Sequence, residues 1–155
     1  MSKGAPESWG ERSTEPELMD QRDADPELLL RTVRQFEFIN RFLTRSRWLL
    51  NTYCLQDALT RGAREISFLD IGAGGGDIAR WLVERGRSLN LKIRATCLDH
   101  DPRIVEYARA RHADLPNLEI LRGSAEQLSE LGQYDYIFAN HLLHHLRTSD
   151  IPPLL

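Results

Sequence analysis

Phe68-Leu69-Asp70-Ile71-Gly72-Ala73-Gly74-Gly75-Gly76-Asp77-Ile78-Ala79 is the stretch that decides the fold of this 155-residue chain. Ile66 to Leu69 is a short β-branched and apolar run suited to a buried strand, and it breaks directly into a loop with four glycines in five positions. Behind Asp77, the residues Ile78, Leu82, Arg85 and Leu89 recur at helical spacing, so the loop opens into a helix. Strand, glycine loop and helix form the entrance of a βαβ unit, where a ligand meets the backbone above the strand end. Glycine suits that place because a Cβ would hold the ligand away and because tight turns need positive φ.

The run Asp70-x-Gly72-x-Gly74-x-Gly76 resembles the first motif of the Rossmann-like S-adenosylmethionine-dependent methyltransferases. Gly74-Gly75-Gly76-Asp77-Ile78-Ala79 also satisfies the G-x-G-x-x-G/A fingerprint of dinucleotide folds. Charge separates the two readings. A dinucleotide rests its pyrophosphate on the helix N-terminus, but here Asp70 stands before the loop and Asp77 at the helix entrance. Two carboxylates repel a pyrophosphate and tolerate a ligand carrying an ammonium and a sulfonium. Asp77 alone is equally well explained as a complement to the helix dipole.

Working outward, Leu91 to Leu98 alternates as a second strand and ends at Asp99-His100-Asp101-Pro102. Asp101 can cap the next helix with Pro102 at its first position, and Ile104, Val105 and Ala108 give that helix an inner face. Asp99 is then left free at the strand's carboxyl end, 23 residues after Gly76, placed to accept hydrogen bonds from both ribose hydroxyls of an adenosine. A third strand, Leu118 to Leu121, runs into Arg122-Gly123-Ser124-Ala125-Glu126-Gln127. The corresponding segment of the family commonly reads Gly-Asp-Ala-Glu, with its Asp on the adenine amino group; Ser124 replaces that Asp. Ser124 or the backbone of Ala125 then reaches the ring, or else Ser124 and Gln127 form a capping box.

The fourth strand, Tyr134 to Ala139, leads into Asn140-His141-Leu142-Leu143-His144-His145 and resembles the family's fourth motif. There the strand end passes the methionine portion of the cofactor and the next residues face the reacting methyl. If the stretch after Asn140 is helical, His141, His144 and His145 share one face. His141 and His144 are candidates for a general base on an acceptor hydroxyl, His145 for packing. No acidic residue accompanies them, and no metal site is expected.

Upstream, residues 1 to about 16 are rich in Gly, Pro, Ser and charge and are expected to be mobile. From Asp25-Pro26 an apolar stripe predicts a helix to about Thr44, and a second helix spans about Arg47 to Thr60 with Gly62 as its stop. Phe36, Phe42, Trp48 and Tyr53 read first as residues covering the sheet and each other, and otherwise as a lid for an apolar acceptor. The segment Glu17-Leu18-Met19-Asp20 with Asp25-Pro26 and the helix to Phe42 also resembles bacterial methyltransferases acting on polyketide-type phenolic lipids. That likeness implies an oxygen acceptor on an apolar aromatic compound.

Bulk properties narrow the rest. The net charge of −3 gives none of the basic field that nucleic-acid binding needs, so a small-molecule acceptor is favoured. Cys54 and Cys97 lie in no metal or disulfide spacing and read as buried, reduced thiols. With neither a signal-like nor a membrane-spanning run, a cytoplasmic location is expected.

The fold expected is α/β: a three-layer Rossmann-like methyltransferase fold with parallel strand order 3-2-1-4 and two N-terminal helices. Its parts are a tail (1–16), a helical lid region (17–63) and a cofactor-binding half (64–155). The strands that usually complete such a sheet are missing, so the chain is read as a fragment of a longer protein, with completion by another chain, as in a homodimer, the alternative. By resemblance, S-adenosyl-L-methionine is the cofactor, held by Asp70, Ile71, Gly72, Ala73, Gly74, Gly76, Asp99, His100, Ser124, Ala125 and Asn140. Methyl transfer to a small molecule is the expected activity. A non-catalytic nucleoside-binding module and an NAD-type oxidoreductase are the alternatives.

Overall fold

The computed structural model describes residues 27, 31–33, 35, 45–124, 127–128 and 131–140. Residues 27, 31–33 and 35 are helical, as the Asp25-Pro26 start predicts, and Val33 packs on Ile104 and Tyr107. The second helix is built from α1 (Ser46–Leu50), a π-helical stretch (Asn51–Leu55) and α2 (Gln56–Thr60). It stops where Gly62 donates to the Leu59 carbonyl and Ala63 to that of Ala58, the paired bonds of a Schellman motif.

Strands β1 (Glu65–Ile71), β2 (Lys92–Asp99), β3 (Leu118–Arg122) and β4 (Tyr136–Ala139) form one sheet in the order β3-β2-β1-β4, every pair parallel. Helices α3 (Asp77–Ser88) and α4 (Pro102–Arg111) make the crossovers from β1 to β2 and from β2 to β3. The chain thus walks outward from β1 and returns to its other side with β4, leaving a topological switch between β1 and β4 at the carboxyl edge.

Side chains alternate across the strands. Ile66, Phe68, Ile93, Ala95, Cys97, Leu118 and Ile120 join Leu55, Leu82, Val105 and their helical neighbours in the main core. Leu69, Ile71 and Leu98 point the other way, where Leu121, Leu128, Leu131 and Tyr134 cover them. The Asp101 carboxylate caps α4 by accepting from the Arg103 amide at 2.8 Å, with Pro102 in the first turn, as expected.

Two details depart from the sequence reading. Arg85 is exposed and bonds Ser88, so the inner stripe of α3 is Ile78, Ala79, Leu82, Val83 and Gly86. Trp48 and Tyr53 meet edge-on at 6.1 Å, but neither covers the sheet: they are 56% and 65% exposed. Phe36 and Phe42 lie outside the described residues.

Gly86 is where α3 presses closest on the sheet. A Cβ there would lie 2.5 Å from Ile93 Cδ1 and 2.8 Å from the Leu91 carbonyl oxygen, and a backbone atom cannot simply step aside. Gly86→Ala gains up to about 1 kcal/mol of helix propensity, but overpacking costs roughly 1–3 kcal/mol. A lower urea midpoint with unchanged m-value is the expected outcome.

Candidate functional site

The glycine loop is laid over the end of β2 by its own amides. Gly72 and Ala73 both donate to the Leu98 carbonyl, at 2.8 and 3.1 Å, and Gly76 donates to that of Ala73 at 3.0 Å. Gly74 donates to Asp99 Oδ2 at 2.9 Å. Four of the loop's amides, those of Gly72, Ala73, Gly74 and Gly76, are therefore engaged within the protein. Gly74 has φ +55°, and the space its missing Cβ would occupy is open to 4 Å. That is a cradle a side chain would fill. Gly76, φ +72°, turns the chain into α3.

Three acids surround this loop. Asp70, 3% exposed, sits near the end of β1; Asp77 opens α3; Asp99 ends β2. Burial holds the Asp70 carboxyl well above the ordinary carboxylate range, and the charges of Asp77 and Asp99 push it further. Burial also raises Asp99, against the Asp101 and Gly74 amides and His100, which favour its ionised form. A cation entering the field of these acids would relieve the repulsion that raises Asp70.

Asp99 is not free, as the sequence reading had it. Its Oδ2 accepts from Gly74 and its Oδ1 from the Asp101 amide at 3.0 Å, so each oxygen keeps only its remaining lone-pair capacity for any ligand. The tether follows from the loop folding back over β2, which linear spacing does not reveal.

The other candidates distribute as follows. Ile71 is buried on the opposite sheet face, and Ala73 packs partly against the main core. His100 is exposed, with Nδ1 3.8 Å from Asp99 Oδ1. Ser124 follows β3 at the same edge, its amide donating to Gln127 Oε1 at 3.1 Å. This is half of the expected capping box, because the Gln127 amide bonds the Ser124 carbonyl at 3.1 Å. Asn140 follows β4 and is half-buried. Ala125, His141, His144 and His145 lie outside the described residues, among which no group of three metal-ligating side chains occurs.

Sequence reasoning missed His112. Its Nε2 lies 2.7 Å from the Gly75 carbonyl oxygen and its Nδ1 3.4 Å from Arg80 Nη1. Arg80 in turn holds Asp114 through two bonds, at 3.0 and 3.1 Å, and Glu84 at 2.9 Å. A histidine in the turn after α4 carries no local signal for a partner 37 residues away.

Parallel order β3-β2-β1-β4, a glycine loop at the switch and acids at the first two strand ends define the class of Rossmann-like S-adenosylmethionine-dependent methyltransferases, whose cofactor is S-adenosyl-L-methionine. Residues 68–155 match the family model described as a methyltransferase domain, and the chain belongs to that family. Among solved structures, a protein from Methanococcus maripaludis described as an S-adenosyl-L-methionine-dependent methyltransferase aligns at TM-score 0.55 and 14% identity, covering 94% of this chain and 59% of its own. The plantazolicin methyltransferase, solved with a desmethyl substrate analogue and S-adenosylhomocysteine, aligns at TM-score 0.52 and 22% identity, covering 70% and 39%. A protein from Galdieria sulphuraria described as a sarcosine dimethylglycine methyltransferase aligns at TM-score 0.49 and 24% identity, covering 61% and 33%. The chain thus spans from a third to three-fifths of the length of these structures. No curated protein matches it significantly in sequence.

The raised Asp70 carboxyl has a sign that can be tested. Its stabilising contribution is full below the unfolded value near 3.8 and is lost as pH rises through the folded value. Asp70→Asn, which keeps the shape without the titration, is expected to melt above the wild type at pH 8. The difference, roughly 2–4 °C per kcal/mol for a chain of this size, should close toward pH 4 in a thermal melt series.

Proposed function

We propose that this chain binds S-adenosyl-L-methionine at the carboxyl ends of β1 and β2 and presents its methyl group to a small-molecule acceptor, an oxygen of an apolar or aromatic compound. The observation that carries the reading is the buried Asp70 carboxyl, with the charges of Asp77 and Asp99 in its field, beside a loop four of whose amides are already engaged. Such a site disfavours a diphosphate and favours a positively charged nucleoside. The open side of Gly74 gives the cofactor room against the backbone.

The bound cofactor supplies a methyl carbon already activated by its sulfonium. The protein's part is to orient and to exclude water. Asp99 takes the ribose hydroxyls while keeping the loop tied, Asp70 and Asp77 face the cationic portion, and His100, Ser124 and Ala125 border the adenosine. Asn140 lies beside the methionine portion, and His141 or His144 takes the proton an acceptor hydroxyl gives up. Residues 17–63 act as the lid region over the acceptor, behind a tail of 1–16, and 64–155 form the cofactor half. The exposed edge-on pair of Trp48 and Tyr53 supports an apolar wall there.

Among the described residues no helix is long and apolar enough to cross a membrane. We place the protein in the cytoplasm, with a small molecule rather than nucleic acid as its partner. Among the described residues, Ile137 of β4 is 62% exposed. The second reading is a module that binds the cofactor without transferring its methyl.

Thermal shift and calorimetry with S-adenosylhomocysteine against NADH test the site. Stabilisation by S-adenosylhomocysteine alone, about 2.7 kcal/mol at a hundredfold excess over Kd, is expected, and preferential NADH binding would overturn it. Asp99→Ala should weaken binding by roughly tenfold or more, the scale of one charged hydrogen bond. Tritiated-methyl transfer to phenolic acceptors then separates enzyme from binding module.

A further inference from the structure

The glycine loop is held on two sides. Above β2 its amides are tied to Leu98 and Asp99. On the other side stands a buried imidazole that belongs to none of the motifs. His112 caps the end of α4, its backbone fixed by bonds from its amide to Ala108 and from Leu115 to its carbonyl, both 3.0 Å. Its ring faces the loop: Nε2 is 2.7 Å from the Gly75 oxygen, and a Cβ added to Gly76 would lie 3.1 Å from the same nitrogen.

The partners fix the tautomer. A guanidinium only donates, so Arg80 Nη1 turned toward Nδ1 makes that nitrogen the acceptor and leaves the proton on Nε2, where it donates to the Gly75 carbonyl. The charged groups around the ring are Arg80 on α3, Arg111 on α4 and Asp114 in the turn beyond; Glu84 pairs with Arg80, and the Cys97 thiol of β2 also lies close to Gly76. Burial, with the two arginines, holds the imidazole below its usual pKa against the Gly75 bond and Asp114, and so favours the neutral ring.

We propose that His112 is a positioning residue for the cofactor, setting through Gly75 the height and rigidity of the loop against which S-adenosyl-L-methionine rests. The inference rests on the function proposed above. Arg80, anchored by Asp114 and Glu84, keeps the ring in the tautomer that can donate. The contact joins α4 to the loop, so the second crossover helps to shape the turn that opens the first.

His112→Leu removes the donor and roughly keeps the bulk, whereas His112→Gln retains a side-chain N–H on a comparable reach. Full-length variants are compared by calorimetry with S-adenosylhomocysteine, by amide hydrogen exchange and by urea unfolding. His112→Leu is expected to weaken binding by about tenfold, the scale of one lost hydrogen bond. Exchange at residues 72–76 should quicken while the amides of β1 and β2 keep their protection. His112→Gln should stay within roughly threefold of wild type on the same scale.

Equal weakening in both variants, or faster exchange spread over the whole sheet, would reduce His112 to packing and overturn the proposal. So would wild-type affinity in His112→Leu. If the wild type itself fails to bind, the cofactor reading falls, and loop exchange in the two variants still decides whether the imidazole governs the turn. Should His112→Leu not fold, Arg80→Met leaves the ring in place but frees its tautomer; a drop in affinity of about threefold is expected, and none overturns the proposal.

Discussion

The carbonyl of Leu98 and the carboxylate of Asp99 hold the glycine loop where it is, and much of the site depends on that hold. Three successive amides, those of Gly72, Ala73 and Gly74, converge on the last two residues of β2. The turn is therefore a bridge between two strand ends. It brings the acid that closes β1 toward the acid that closes β2. It also leaves the space beside Gly74 open.

That arrangement carries an electrostatic cost which the rest of the fold supports. Burial and the two other acids in its field disfavour the charged form of Asp70, and a positive group nearby would favour it. The packed core beneath, with Phe68, Leu82 and Ile93 among its fully buried side chains, supplies the stability to tolerate it.

Much of this was legible in the residues. Alternation in Leu91–Leu98, the Asp101-Pro102 helix start and the glycine loop itself specify strand, cap and turn through interactions between near neighbours. The parallel order β3-β2-β1-β4 came from resemblance rather than from periodicity, since strand order is set by crossovers that leave little local trace. What escaped were contacts between residues distant in sequence. Asp99 looked free because Gly74, 25 positions away, gave no sign of folding back on it. His112 carried no local signal at all, because its partner Gly75 lies 37 positions away. Arg85 fell on the helical period of the stripe, but the close approach at Gly86 rotates the inner face past it.

The two cysteines have a consequence of a different kind. Cys54 lies in the helical preface, with its thiol pushed up to about 12 chiefly by burial, and Cys97 lies beneath the acid-ringed loop with its thiol also raised. Neither offers a thiolate to solvent while the fold is closed. Alkylation of the native protein would therefore keep time with the opening of its interior. One sulfur would report on the preface and the other on the floor beneath the loop, two built-in clocks for two regions of a single core.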